Sequence, residues 1–293
     1  MSAVAVIVGY ALREALRRKV FVVVLLLTVA FLVLYAFGAV QIFQEVEEIV
    51  PGGAEGGAPH QEIPIDEQVA VGATLLGLSM FGTFFLATVL AISLTLGVVR
   101  GDAERGLLQP LVVRPVGRAT LFVSRFLAAA AVAVPYVLAV YGCAVAITRA
   151  AGGWTPDRLV TPGLELAAAV AIVAAISLLG SVFLTATANG IAVFMVFGAG
   201  LVAGLLGQIG EGLDSETLRS IADTAAWILP FEALYQDALN RLTADTFGLT
   251  DFVVQLGPFG GAQAGGPLLF PWALVYVALL GVVGVAGFSR RDL

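Results

Sequence analysis

Six apolar runs organise the chain, at about 20–40, 71–99, 121–148, 164–188, 190–209 and 268–288. Each predicts a transmembrane helix, because about 20 consecutive apolar residues cross a hydrocarbon core. The second run is long enough to tilt or to emerge into water. The third contains Pro135, which predicts a kink whose freed carbonyl is satisfied by neighbouring helices. Only "TANG" at 187–190 separates the fourth run from the fifth. Asn189 and Gly190 both tolerate positive φ, so the expectation is a tight turn joining an antiparallel pair of spans.

Composition gives the same class. The chain has 293 residues, of which 59% are hydrophobic and 12% charged, against about 25% charged in a soluble domain. The reading is an all-α integral membrane protein with a single transmembrane domain over residues 1–293. The run after Lys19 exceeds the apolar core of a secretory signal, so it is expected to be a retained first span.

The net charge of -6 matters less than where the charges lie. Arg13, Arg17, Arg18, Lys19, Arg100, Arg105, Arg114, Arg118, Arg125, Arg290 and Arg291 fall on the side of the N-terminus. Only Arg149, Arg158, Arg219 and Arg241 fall on the other side. The positive-inside rule then places both termini in the cytoplasm of a multi-pass plasma-membrane (inner-membrane) protein. Residues 41–68, 149–163 and 210–266 are outside. The first of these carries Glu45, Glu47, Glu48, Glu55, Glu62, Asp66 and Glu67 with no lysine or arginine, and reads as a solvated flexible loop.

Two polar stretches have helical patterns of their own. In "VAVIVGYALREALRRK" (4–19), Arg13 and Arg17 share one side and Glu14 pairs with Arg18 at the same spacing. Val8, Leu12 and Leu16 are free to face acyl chains, so this is an interfacial elbow helix leading into the first span. In "DSETLRSIADTAAWILPFEALYQDALNRL" (214–242) two short amphipathic helices follow one another. Asp214 or Ser215 caps the first, and Pro230 starts or interrupts the second. Leu234, Leu239 and Leu242 mix with Glu232, Asp237 and Arg241, as expected of helices lying on the outer membrane face. "GPFGGAQAGGP" (257–267) is a connector into the last span. Gly200 and Gly204, and the series Gly281, Gly284 and Gly287, permit close helix packing, between subunits or within one chain.

The chemistry that is missing narrows the function. No span carries an ionisable residue near its midpoint; Arg125 lies near the inner start of the third and Glu165 near the outer start of the fourth. Ion-coupled carriers commonly need buried carboxylates, histidines or lysines in their spans. HExxH, GxSxG and GxxxxGK[ST] are all absent from the sequence, which leaves intramembrane proteolysis, lipid hydrolysis and ATP binding without support. Cys143 is the one cysteine and lies in an apolar run, and His60 is the one histidine and lies in a loop. Neither makes a metal site.

Between the second and third runs lies "RGDAERGLLQPLVVRPVGR" (100–118), on the cytoplasmic side. Asp102 can cap a short helix starting near Ala103, with Pro110 and Pro115 as its limits. Headgroup anchoring accounts for the arginines, but not for a carboxylate pair leading through "ERG" into "RPVGR". The stretch "GDAERGLLQPLVVRPVGRATLFVSRFL" (101–127) resembles the cytoplasmic signature of type-two ABC transporter permeases, a family that includes permeases of copper-enzyme maturation. The matching positions are Glu104, Arg105, Gly106, Leu107, Leu111, Pro115 and Arg118. "ALREALRRK" ahead of the first span and "WILPFEALYQDAL" (227–239) look like the same family. The sequence departs from its pattern at Leu107, where threonine is common, and at Asp102–Ala103.

The resemblance implies a non-catalytic permease subunit, expected in an exporter. It would act as a pair with a second copy or a sister permease. A separate nucleotide-binding ATPase subunit would hold ATP and Mg. Residues 101–113 would be the coupling helix in a cleft of that ATPase, with Glu104 and Arg105 as polar contacts. The "TANG" turn would be a second, smaller contact, and membrane lipid the other partner; nucleic acid is not expected. The rival readings are a scaffold or assembly subunit that binds extracytoplasmic proteins and a secondary carrier.

Overall fold

The computed structural model describes residues 9, 13, 19–49, 67–96, 117–156, 158–243 and 263–290. Eight helices make up most of these: α1 (Lys19–Ile49), α2 (Glu67–Thr95), α3 (Arg118–Gly152), α4 (Val160–Phe183), α5 (Ala186–Gly212), α6 (Glu216–Ile228), α7 (Pro230–Thr243) and α8 (Leu269–Ser289). Among the described residues there is no strand. In lipid an unpaired backbone amide has no water to bond, so apolar runs satisfy themselves as helices. Six helices, α1 to α5 and α8, are long and apolar enough to cross a membrane, one for each predicted run.

The helices outrun those predictions. At 1.5 Å per residue, the 31 residues of α1 and the 35 of α3 extend roughly 46 and 52 Å, against a hydrocarbon core of about 30 Å. Their ends therefore project beyond the core, or the helices tilt. Helix α1 carries Glu45, Glu47 and Glu48 on its last turns, so the expected loop 41–68 narrows to 50–66, outside the described residues. Pro135 lies inside α3, which continues as one helix from Arg118 to Gly152.

Interhelical contacts set the directions. Going up α1, the Thr28 hydroxyl meets the Tyr136 hydroxyl, Tyr35 meets Thr148, and Phe43 lies on Gly152, so α1 and α3 run parallel. Gly82 of α2 receives Phe31, and Gly72 receives Trp154 just past α3, so α2 runs antiparallel to both. Thr95 donates to Ser177 at 2.6 Å, tying the end of α2 to the last turns of α4. Gly284 and Gly287 of α8 take the rings of Phe122 and Phe183, whereas Gly281 has nothing within 4 Å. Lys19, Thr95, Arg118, Phe183 and Ser289 therefore share one end of the bundle, here the near end. The other end is the far end.

Helices α2 and α4 form the centre. In their most apolar windows 61% and 67% of residues are buried, against 17% for α1, 28% for α5 and 11% for α8. The outer helices present Leu34, Phe37, Met195, Val202, Leu274 and Val282 outward, as suits contact with acyl chains or another apolar surface.

The α4–α5 turn corrects the expectation at Asn189 and Gly190. The chain reverses at Leu184–Thr185, and α5 begins at Ala186. Thr185 caps it, its hydroxyl accepting from the Ala188 amide. Asn189 and Gly190 are thus helical, and neither has positive φ. The Asn189 side chain is buried and donates to the Ser177 carbonyl at 2.9 Å. A hydroxyl cap and an amide bond across the hairpin do the work that a left-handed turn was expected to do.

Candidate functional site

Six of the seven residues matched to the coupling signature, Glu104, Arg105, Gly106, Leu107, Leu111 and Pro115, and the expected helix cap Asp102 lie outside the described residues. What the structure places is their frame. Helix α2 finishes at Thr95 and α3 starts at Arg118, so residues 97–116 join two helices at the near end. The Leu184–Thr185 turn, Lys19 and Arg290 are at the same end. Of the elbow residues, Arg13 is helical and exposed, while Glu14, Arg17 and Arg18 lie outside the described residues.

The far end holds a different site, built from the segment between α5 and α8. The sequence predicts two helices lying on the membrane face; the structure instead folds them into the bundle as a re-entrant hairpin. Going down α6, Arg219 meets Gly210 and Ala222 meets Gly207, so α6 descends antiparallel to α5. Leu229 breaks the helix, and Pro230 starts α7 where its missing N–H costs nothing. Phe231 then lies on Gly200, close to the middle of α5, and stacks on Phe197. Tyr235 stacks on Phe84, mid-way along α2, at 5.0 Å between centroids. Leu239 reaches Gly77, so α7 climbs back toward the far end. Phe231, Leu234, Tyr235 and Ala238 are at most 1% exposed. At the start of α6, Asp214 has φ 51° and pairs with Arg219 instead of capping, and the Ser215 side chain makes no cap bond.

Helix α7 tolerates that burial because its charges find partners. Arg241 Nη2 lies 2.9 Å from Asp237 Oδ2, and its Nε donates to the same oxygen at 3.0 Å. Nε also stands 2.7 Å from Glu165 Oε1 on α4. This second contact is an ion pair without hydrogen-bond alignment, since both Glu165 oxygens lack an aligned donor. The Asp237 Oδ1 accepts from the Gly265 amide at 2.8 Å, which anchors the connector before α8. One guanidinium therefore holds α4, α7 and, through Asp237, residue 265.

Gly200 and Gly204 face this hairpin within the chain. A Cβ on Gly200 would stand 2.8 Å from the Phe231 ring. A Cβ on Gly204 would stand 2.5 Å from Glu232 Oε1 and would overlap Gln236. Of the two packing roles left open for these glycines, the geometry supplies the one inside the subunit. The space they leave takes the Glu232 and Gln236 side chains, which bond to each other at 3.2 Å. Glu232 is 4% exposed.

A cavity of about 330 Å³ lies beside this pair. Helices α5, α6 and α7, residues 263–266 and the first turn of α8 enclose it. Trp227 and Trp272 stand at one side, 5.5 Å apart edge to face, and the Trp272 indole N–H donates to the Trp227 carbonyl at 2.9 Å. Sequence reasoning missed this site. The available signal was a lone acid in a span, Glu165, with an unassigned arginine, Arg241, on the same side. Cys143 is exposed on α3, and His60 lies outside the described residues.

Comparison with known proteins now bears on this architecture. A search of the curated proteins gives no match. The family model described as ABC-2 family transporter protein matches residues 5–293, which takes in all six membrane-crossing helices and the re-entrant hairpin. The chain thus belongs to the ABC-2 transporter family, the membrane-spanning permease subunits of ATP-binding-cassette transporters.

Proposed function

We propose that this chain is the permease subunit of an exporter in the plasma membrane, with both termini in the cytoplasm. A separate ATP-binding subunit would drive it. The observation that carries the reading is the family match over residues 5–293. The bundle is compatible with it: the helix ends joined by residues 97–116, the Leu184–Thr185 turn, Lys19 and Arg290 lie at the near end, and the arginine distribution supports a cytoplasmic position for that end.

ATP and Mg²⁺ bind in the partner, whose closure on nucleotide pushes on the segment between α2 and α3. Glu104 and Arg105 supply the polar contacts there, Pro115 and Arg118 return the chain to the membrane, and the α4–α5 turn is a smaller second contact. Helix α3 is a single helix of 35 residues. A push at its near end therefore reaches the far end as a rigid-body tilt. The permease pairs with a second copy or a sister chain.

The test is reconstitution. Inside-out vesicles holding this chain and its ATP-binding subunit should accumulate substrate with ATP. Without nucleotide, or with a non-hydrolysable analogue, they should not. Accumulation driven by an ion gradient without ATP would refute the proposal.

A further inference from the structure

A groove on the outside of the bundle, between α3 and α8, plays no part in the transport reading. Phe122, Val123 and Phe126 of α3 form one wall, residues between Val277 and Ala286 of α8 the other, and Ala175 and Leu178 of α4 the floor. It holds about 560 Å³, and every described residue that lines it is apolar. Gly281 helps to make the room: a Cβ there would meet nothing within 4 Å. Val123 and Val282 on the rim are exposed and Leu178 is fully buried, so the groove opens on the membrane side. Helix α8 has 21 residues and extends roughly 31 Å, close to the hydrocarbon thickness of about 30 Å. Residues 277–286 occupy its near-end half, so the groove is one leaflet deep. Arg290 is exposed one turn beyond Ala286, its amide donating to the Ala286 carbonyl at 3.3 Å. A cation thus stands where the groove meets the near-end surface.

From this geometry we infer that the groove holds one acyl chain of an anionic phospholipid of the near-end leaflet, with its phosphate at Arg290. Walls of carbon that run through half the bilayer match an extended hydrocarbon chain and offer nothing to a polar ligand. The guanidinium supplies charge-assisted donors to phosphate oxygens, and its place at the mouth sets the headgroup at the membrane surface while the chain lies inside. A helix of a second copy fits less well. With side chains it is about 10–12 Å across, and α3 and α8 already touch where the Phe122 ring lies on Gly284. Such a helix could cover the groove but not fill it.

The inference does not depend on ATP coupling, so its test uses the full chain alone, purified in detergent. Native mass spectrometry counts the phospholipids it retains. The probes are phosphatidylglycerol and phosphatidylcholine with the same acyl chains, and glycerol phosphate as the headgroup without chains. The chain should hold one tight phosphatidylglycerol, preferred over phosphatidylcholine by roughly fivefold, the worth of one arginine near an anionic headgroup. Glycerol phosphate should not displace it. Gly281→Leu, whose new side chain enters the groove without meeting the protein, should lose the tight lipid of either kind. Gly38→Leu, at an equally open position on α1, should keep it. Arg290→Gln should keep the lipid and lose the preference for the anionic headgroup. Retention in Gly281→Leu, equal loss in Gly38→Leu, an undiminished preference in Arg290→Gln or displacement by glycerol phosphate would each overturn the assignment. So would separation of paired copies in Gly281→Leu with the lipid still bound, which would give the groove to a second copy.

Discussion

Arg241 is the residue on which the far end depends most. Its guanidinium is the shared counter-charge of Asp237, which is 2% exposed, and of Glu165, which is fully buried. Removing one partner of a buried pair leaves an uncompensated charge and costs about 3–5 kcal/mol. Arg241→Ala should therefore lower stability by about 3 kcal/mol, the lower end because Arg241 is itself 29% exposed. Glu165→Gln should cost less, since Arg241 keeps Asp237. Thermal unfolding in detergent compares the two; a larger loss in Glu165→Gln would reverse the assignment of Arg241 as the hub. The sequence showed each of these residues but not their meeting. Glu165 lies 76 positions from Arg241, and no local period links an acid in one span to a base on a later amphipathic helix.

At the scale of elements, α5 and the hairpin fit because two glycines leave space for side chains of α7. Gly204→Leu places a side chain where Glu232 and Gln236 sit. Overpacking of this kind costs about 1–3 kcal/mol. The expected result is a lower melting temperature for the isolated chain, with crosslinking between copies unchanged. Loss of crosslinking at an unchanged melting temperature would move the glycines to a subunit interface. The six spans were legible because length and apolarity suffice to define a membrane helix. The depth of α7 was not. Its leucines alternating with Glu232, Asp237 and Arg241 have the pattern of an interfacial helix. Burial follows only once Glu165, Gly265 and Gly204 are brought alongside. The α4–α5 turn was misplaced by a few residues for a related reason: Asn189 has the composition of a turn, but its amide bonds across to Ser177 from within α5.

For the whole molecule, orientation and coupling stand together. The far-end loops 50–66 and 244–262 should face outward. Cysteine substituted at Glu55 or Thr246 should react with an impermeant reagent in intact cells, and cysteine at Arg114 should not. Reaction at Arg114 from outside would invert the bundle and remove the near end from contact with any cytoplasmic ATPase. The most direct measurement concerns Glu104. In a cleft of the ATP-binding subunit it forms a charged contact whose loss costs about 2–5 kcal/mol, roughly thirtyfold to several-thousandfold in affinity. On a lipid surface each arginine contributes about 1 kcal/mol and a carboxylate contributes nothing favourable. The measurement is co-purification of the ATP-binding subunit and ATP hydrolysis coupled to transport in nanodiscs and vesicles, for Glu104→Ala beside Arg114→Ala. The account predicts that Glu104→Ala loosens the ATP-binding subunit and uncouples hydrolysis, while Arg114→Ala has a much smaller effect; full coupling in Glu104→Ala would contradict it.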